Sequence, residues 1–308
     1  MPAPADGNVC HFFDIRIMNY DEQALSFSCQ GQTLFGVLSV PEQIHPRAVL
    51  MVVGGPQYRV GSHRQFTLLA RSLAEQGIAT LRFDYRGMGD SEGEARDFEA
   101  VGEDLRCAID ELMATLPGVR EVAIWGLCDA ASAALFYAGG DARVSAVALL
   151  NPWVRTSAGL AKATLKHYYR QRLLDPALWK KIASGRFDFG AAGRSFARLI
   201  GAARSAPSAP AQAKAHSAPD MPPADAPLPE RMLFGLTRFQ GKILLMMSGN
   251  DLTAQEFNDV VKASPAWQRA LGTAAVTRHT LAEADHTFSR AVWRDQVASW
   301  TATWVKSW

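Results

Sequence analysis

The sequence predicts an α/β protein with a mostly parallel central sheet, flanking helices and a helical cap insertion. Apolar runs rich in β-branched residues alternate along the 308-residue chain with segments in which apolar residues recur at i, i+3, i+4 and i+7. Repeated strand-then-helix order is typical of a sheet with helical crossovers. With 48% hydrophobic and 20% charged residues, the chain has the composition of a globular protein and not of a fibre.

The individual elements follow from these patterns. The apolar runs predict strands at 34–40, 48–53, 78–83, 122–125, 144–150, 243–247 and 275–281. Helical spacing is strongest over 66–73 and 101–112. A long final helix is expected to pack on the sheet through one apolar stripe, formed by Phe288, Val292, Val297, Trp300 and Trp304.

The alternation stops after Asn151–Pro152. Residues 153–204 contain eleven Lys or Arg against two Asp, so they carry +9 and the rest of the chain −7. The Pro/Ala/Ser-rich segment 205–229 has little to bury and is predicted to be a disordered linker. We therefore expect residues 1–152 and 242–308 to form the core, 153–204 a basic helical cap, and 230–241 the return to the core.

Composition also limits the partners. A net charge of +2 gives no reason to expect nucleic-acid binding, and no apolar run approaches the roughly 20 residues that span a bilayer. The N-terminal segment lacks the pattern of a secretory signal, so a cytoplasmic location is expected. The four cysteines form no CxxC pair and are expected to be free thiols. His and Cys are too scattered for a metal site, and the glycine-rich loop 83–93 fits no nucleotide-binding spacing, so no cofactor is expected.

The sharpest local signal lies where the predicted strand 122–125 leads into a helix through Gly126-Leu127-Cys128-Asp129-Ala130. The strand-to-helix turn of a nucleophile elbow tolerates only very small side chains two residues before and after the nucleophile, as found here. Unpaired N–H groups at a helix start favour a thiolate over a thiol. Cys128 is therefore the candidate nucleophile; the alternative is a buried structural cysteine.

Two later segments supply candidate partners for this thiol. Asp251 follows the strand at 243–247 in a Gly-Asn-Asp turn, and His286 follows the strand at 275–281 just before the final helix. The chain order nucleophile, acid, histidine, each after a strand, is that of the α/β-hydrolase triad. Taken alone, Asp251 is equally a turn residue and His286 a polar residue at a helix start.

A third loop is expected to complete the site. The strand at 48–53 ends in Gly54–Gly55, and an oxyanion hole in this architecture combines an N–H from such a loop with that of the residue after the nucleophile. These donors are Gly55 and Asp129, since Pro56 has no N–H. The glycines equally suit a turn. Substrate contacts are expected from four residues near this mouth, with His63 as the rival base: Tyr58, Arg59, His63 and Trp153.

The stretches GGPQYRVGSHRQF, DYRGMGDSEG and WGLCDAASAA resemble the first type of exosortase A system-associated hydrolases, within the α/β-hydrolase superfamily. The resemblance covers residues 25–151 closely and implies a cytoplasmic bacterial hydrolase encoded beside protein-sorting and exopolysaccharide machinery, with Cys128 as nucleophile, His286 as base and Asp251 as orienting acid. Cys in place of Ser, and Ala130 in place of the commoner Gly, depart from the superfamily pattern.

The expected activity is cleavage of an ester or thioester through an acyl-cysteine. Two alternatives stay open: the same acyl-cysteine is transferred to a hydroxyl or amine, or the fold is a non-catalytic binding or assembly module. The basic cap, with aromatic residues among its Lys and Arg, suits an acyl chain on an anionic carrier, peripheral contact with an acidic membrane, or simply a solvated face. The sequence leaves the acyl group and the oligomeric state open.

Overall fold

The computed structural model of the chain describes residues 19–55, 57–154, 222–223 and 226–308. In these ranges, eight strands form one sheet in the order β1-β2-β4-β3-β5-β6-β7-β8. The strands are β1 (Tyr20–Cys29), β2 (Gln32–Pro41), β3 (Arg47–Val52), β4 (Thr80–Phe83), β5 (Glu121–Leu127), β6 (Val144–Leu150), β7 (Lys242–Ser248) and β8 (Val276–Leu281). The pairs β1/β2 and β2/β4 are antiparallel and all others are parallel. The predicted α/β architecture is confirmed.

The parallel strands at the centre of the sheet are apolar on both faces because helices cover both. All four residues of β4 and almost all of β3, β5 and β6 are buried. The edge strand β1 was not among the predicted apolar runs. Its side chains alternate between the two faces, and Phe27 and Cys29 are the buried residues of an otherwise largely exposed strand.

Seven α-helices are described besides two short 3₁₀ segments. They are α1 (Gln65–Ala74), α2 (Gly102–Thr115), α3 (Asp129–Ala138), α4 (Leu228–Arg238), α5 (Leu252–Ala263), α6 (Pro265–Leu271) and α7 (Ala291–Val305). The predicted helices at 66–73 and 101–112 correspond to α1 and α2. The predicted stripe on the final helix is only partly correct, because Val292 is 68% exposed and Phe288 lies in the preceding loop, whereas Val297 and Trp304 are buried.

Most of the predicted insertion, residues 155–221, lies outside the described residues, as do 224–225. The basic cap and the linker therefore stay predictions. The chain returns in α4, which begins at Leu228, two residues before the predicted boundary at 230. Met232 and Leu236 of α4 are buried, and a Cβ at Gly235 would lie 2.2 Å from the carbonyl oxygen of Leu135, so α4 packs closely on α3. Within the described residues, no helix has the length and apolarity to cross a bilayer.

Candidate active site

The candidate residues follow the carboxyl ends of β3, β5, β6, β7 and β8, which meet at one edge of the sheet because these strands are parallel. Cys128 is the N-cap of α3 and has φ 64° and ψ −124°, a backbone conformation that non-glycine residues rarely adopt. Its N–H donates to the carbonyl of Leu150 at 2.8 Å, which fixes the turn to the end of β6. The thiol is partly exposed at this bend.

Steric contacts explain the small residues around Cys128. A Cβ at Gly126 would lie 2.6 Å from the carbonyl carbon and oxygen of Ala130 and 2.7 Å from the nitrogen of Ala131. Ala130 itself is fully buried. Because the close atoms belong to the backbone, no rotamer change relieves such a contact. The strand-turn-helix geometry predicted for this segment is therefore present.

The structure brings together the predicted acid and base. Nδ1 of His286 lies 2.9 Å from Oδ2 of Asp251. Asp251 is also the N-cap of α5, and its carboxylate accepts the N–H groups of Thr253 at 3.3 Å and Ala254 at 3.0 Å. Burial opposes the charge on this carboxylate, but the hydrogen bond from His286 and the two backbone donors lower its pKa. Asp251 is thus held as an anion behind the imidazole.

The imidazole is held in its charged form. Burial disfavours the charge, but hydrogen bonding and electrostatic attraction, first from Asp251 and then from the Cys128 thiol, raise the pKa of His286 to about 10. Cys128 is thus the second group, after Asp251, that favours the charged imidazole. Pairing of this imidazolium with a Cys128 thiolate stays a prediction.

Backbone contacts bind the acid and histidine loops to one another. Gly249 N–H donates to Leu281 at 2.8 Å, and Asn250 N–H to Ala284 at 3.0 Å. A Cβ at Gly249 would lie 2.1 Å from the carbonyl oxygen of Ala282, so a larger residue there would force the loops apart. The short distance between Asp251 and His286 is therefore set by packing of the loops that carry them.

Asn151 is a site residue that the sequence analysis noted only as the point where the strand pattern stops. It is fully buried with φ 42°, and its Nδ2 donates to Oγ of Ser248 at 2.5 Å and to the carbonyl of His286 at 3.0 Å. Its Oδ1 accepts the N–H of Ser248 at 2.8 Å. Asn151 thus ties the ends of β6 and β7 to the histidine loop. A polar residue directly after an apolar strand was the signal available in the sequence.

The oxyanion loop departs from the simple prediction. Gly55 has φ 62°, and its N–H points toward the nucleophile turn as expected. It is not free, however: it donates to Oδ2 of Asp129 at 2.9 Å, while Oδ1 of the same carboxylate accepts the N–H of Ala130 at 2.9 Å. Asp129 is expected to supply the second donor through its N–H, but its carboxylate already accepts the first donor, the N–H of Gly55.

Arg59 does not present its guanidinium to a substrate. Its Nη2 lies 2.6 Å from Oδ2 of Asp90, its Nη1 bonds to the fully buried Asp84, and its N–H donates to Asp84 at 2.6 Å. Arg59 thereby holds the oxyanion loop against the segment after β4, and its contact with a substrate stays a prediction. The hydroxyl of Ser91, in the glycine-rich loop 83–93, is also hydrogen-bonded within the protein. Its Oγ donates to the Asp84 carbonyl at 2.6 Å and accepts the Phe35 N–H at 2.9 Å.

The remaining predicted contacts lie around the same opening. Tyr58 is 49% exposed. Burial opposes the charge of Asp285, but the hydrogen bonds from Ser289 and Thr287, and then the attraction of His63, lower the pKa of this carboxyl in the histidine loop. The N–H of Trp153 donates to the carbonyl of Cys128 at 3.1 Å. The histidine that meets a carboxylate at hydrogen-bond distance is His286 and not the rival His63.

The other described cysteines are unlike Cys128. Cys29, Cys107 and Cys128 are free thiols. Cys29 is 1% exposed, and burial, with a contribution from neighbouring Cys107, raises its pKa to about 12. No group of three or more His, Cys, Asp or Glu suited to a metal ion occurs within the described ranges.

Comparisons with known proteins bear on the family. The sequence model described as the alpha/beta hydrolase family matches residues 49–300. The polyketide transferase grgF of a Penicillium species is 30% identical over 128 residues, which span 40% of this chain and 42% of that protein. The aligned part is thus less than half of the curated relative.

Solved structures share the fold over nearly the whole chain. An esterase of Pyrococcus furiosus superposes with a TM-score of 0.62 at 14% identity, covering 94% of each chain. A dienelactone hydrolase of Anabaena variabilis gives a TM-score of 0.56 at 17% identity, covering 93% of this chain and 97% of that one. Identities this low establish the architecture alone. Together with the match over residues 49–300, they show that this chain belongs to the alpha/beta hydrolase family.

Proposed function

We propose that the protein cleaves an ester or thioester through an acyl-cysteine on Cys128, with His286 as general acid and base and Asp251 as its orienting carboxylate. The observation that supports this most is the pairing of His286 with Asp251 at 2.9 Å, at the sheet edge where Cys128 is held at φ 64° on a strand-to-helix turn. A nucleophile, a base within reach of it and a third group orienting the base are the parts that acyl transfer through a covalent intermediate requires.

The proposed reaction has two halves. The Cys128 thiolate attacks the acyl carbonyl carbon, and the carbonyl electrons move to oxygen. The tetrahedral intermediate then collapses, the bond to the leaving group breaks, and the His286 imidazolium gives that group its proton. In the second half His286 takes a proton from water, the resulting hydroxide attacks the thioester, and the bond to Sγ breaks to restore the thiolate and release the acid.

The chemistry of sulfur narrows the substrate. The tetrahedral intermediate formed by a thiolate expels thiolate more readily than alkoxide or amide, so productive collapse needs a good leaving group. We therefore propose thioesters, lactones and activated esters as the substrate class, in preference to amides. His286 as an imidazolium is already protonated for the first departure, which suits the acid role in that step.

The test compares turnover of short nitrophenyl esters and acyl thioesters by the wild type and by Cys128→Ala, His286→Ala and Cys107→Ala. Cys107 lies on α2, so its variant controls for loss of a thiol outside the site. We expect the first two variants to lose at least about 100-fold in turnover and the control to lose nothing measurable. Unchanged turnover in Cys128→Ala and His286→Ala would refute the assignment.

A second candidate is acyl transfer, which the partial similarity to a polyketide transferase favours. In this case a hydroxyl or amine replaces water in the second half-reaction, and His286 takes the proton from that acceptor. Product analysis separates the two: incubation with a thioester plus a sugar or amine acceptor yields an acylated acceptor only if transfer occurs. Free acid as the sole product would support hydrolysis.

The biological setting is proposed from the resemblance in the oxyanion loop, the loop after β4 and the elbow. These stretches suggest a role beside exosortase-dependent protein sorting and exopolysaccharide production. Under this proposal the acyl substrate belongs to polysaccharide or lipid-carrier chemistry, and an anionic carrier would meet the basic segment 153–204. A preference for acyl groups on anionic carriers over neutral esters of equal leaving-group quality would support this setting.

A further inference from the structure

The oxyanion hole of this protein already contains a carboxylate. Oδ2 of Asp129 accepts the N–H of Gly55 at 2.9 Å, and Oδ1 accepts the N–H of Ala130 at 2.9 Å. One of the two N–H groups that the fold offers to a tetrahedral oxyanion, that of Gly55, is therefore engaged by a side chain of the same protein.

The loop after β3 is shaped to admit this carboxylate. A Cβ at Gly54 would lie 2.3 Å from Oδ1 of Asp129 and 2.6 Å from the carbonyl oxygen of Leu127. A side chain at position 54 would thus push the carboxylate off the Gly55 N–H. Because Gly54 has no side chain and Gly55 has a positive φ, the loop leaves the space in which the Asp129 carboxylate lies.

The charged and titratable groups that face Asp129 set its electrostatic state. Burial raises the pKa of Asp129, against the hydrogen bonds from Gly55 and Ala130 and the attraction of His286. From the other side, burial and then the charge of Asp129 raise the pKa of Tyr85 to about 12. The backbone donors of Gly55 and Ala130 and the attraction of His286 thus oppose the effect of burial on this carboxylate.

We infer that the Asp129 carboxylate is a built-in occupant of the oxyanion hole, which an acyl substrate must displace before its carbonyl oxygen can bind there. This inference rests on the proposed function of Cys128. Two anionic oxygens cannot share the Gly55 N–H, so the tetrahedral intermediate and the bound carboxylate exclude each other at this donor. Asp129 thereby selects for acyl groups whose remaining contacts in the site offset its displacement, and against small esters without such contacts.

The experiment uses an alkyl trifluoromethyl ketone, which a cysteine thiolate converts into a hemithioketal. Sγ bonds to the carbonyl carbon and the carbonyl oxygen becomes the oxyanion, so the inhibition constant reports on the hole. Iodoacetamide alkylates the same sulfur with loss of iodide and forms no oxyanion, so its rate reports on the thiolate alone. Both are measured for the wild type, Asp129→Ala and Asp129→Asn. Asp295→Ala removes one carboxylate at an exposed position of α7 and serves as the matched control.

We expect Asp129→Ala to bind the ketone at least about tenfold more tightly after correction for its alkylation rate, since one freed donor is worth a factor of about 100 or more at an oxyanion. Asp129→Asn keeps an oxygen that accepts the Gly55 N–H but loses the charge, so its gain is smaller. The control matches the wild type. Equal or weaker ketone binding by both Asp129 variants, with the adduct still on Cys128, would overturn the inference alone. Absence of any adduct on Cys128 in every protein would overturn the proposed function as well.

Discussion

Replacing Gly126 by alanine tests whether the sharp turn at Cys128 depends on the absence of a side chain two residues earlier. The added Cβ would lie 2.6 Å from the carbonyl carbon and oxygen of Ala130 and 2.7 Å from the nitrogen of Ala131. Carbon atoms in favourable contact are about 3.5–4.0 Å apart, so the overlap is about 1 Å. Relief requires the start of α3 to move away from the end of β5.

The cost follows from the kind of atoms involved. Overpacking a well-packed region costs about 1–3 kcal/mol, and contacts with backbone atoms place this substitution at the upper end, about 3 kcal/mol. For a domain of this size that corresponds to a fall in melting temperature of about 6–12 °C. A displacement of about 1 Å at the nucleophile also lowers turnover about 100-fold.

The assay measures thermal unfolding, thioester turnover and the rate of Cys128 alkylation for Gly126→Ala and for a matched control, Gly118→Ala. Gly118 lies between α2 and β5 with nothing within 4 Å of an added Cβ, so its substitution is expected to change stability by less than about 0.5 kcal/mol. A Gly126→Ala protein with the melting temperature and turnover of the control would refute the steric account of the turn.

Three further predictions concern the partners of Cys128. Asp251→Asn is expected to lower thioester turnover at least about 100-fold, because His286 loses the carboxylate that orients it; a loss below tenfold in steady-state kinetics would contradict this role. The folded-state pKa of His286 is about 10 against an ordinary 6.5. The pair with Asp251 therefore contributes fully to the unfolding free energy below pH 6.5, and this contribution is lost as pH rises through 10. The difference in urea-unfolding free energy between wild type and Asp251→Asn should shrink over that interval, and a constant difference would refute it. Asn151→Ala leaves the Ser248 N–H and the His286 carbonyl unpaired, so unfolding free energy should fall by about 1–3 kcal/mol and turnover of the folded protein should drop; wild-type values for both would show that Asn151 positions nothing.

Much of the fold was predictable because the parallel strands are buried on both faces and read as continuous apolar runs. The edge strand β1 has no such continuous apolar run. Phe27 and Cys29 are its buried residues, and its other side chains are exposed or partly exposed. The final helix was placed correctly by its apolar stripe, but its start was not, because Phe288 is buried in a loop with φ 50° and Val292 faces solvent. Burial of a single apolar residue depends on tertiary packing, which periodicity does not contain.

The candidate site was likewise predictable only in part. Gly126 and Ala130 predicted the turn, because the sterics of a strand-to-helix bend depend on local positions such as these two. The tie from Asn151 to the His286 loop was not predictable, since it joins segments 135 residues apart. The hydrogen bond from the Gly55 N–H to the Asp129 carboxylate likewise joins loops 74 residues apart. The sequence therefore indicated Gly55 as a donor but not the group that accepts its hydrogen bond.

The most direct test of the acyl-cysteine mechanism is intact-mass detection of a covalent adduct after brief exposure to a panel of acyl thioesters and activated esters, with peptide mapping of the modified residue. We predict one acyl group per chain, located on Cys128, with faster accumulation in the wild type than in His286→Ala. Mapping is needed because Cys107 is partly exposed. Acylation confined to another residue, or equal acylation of Cys128 with and without the imidazole, would contradict the proposed cooperation of Cys128, His286 and Asp251.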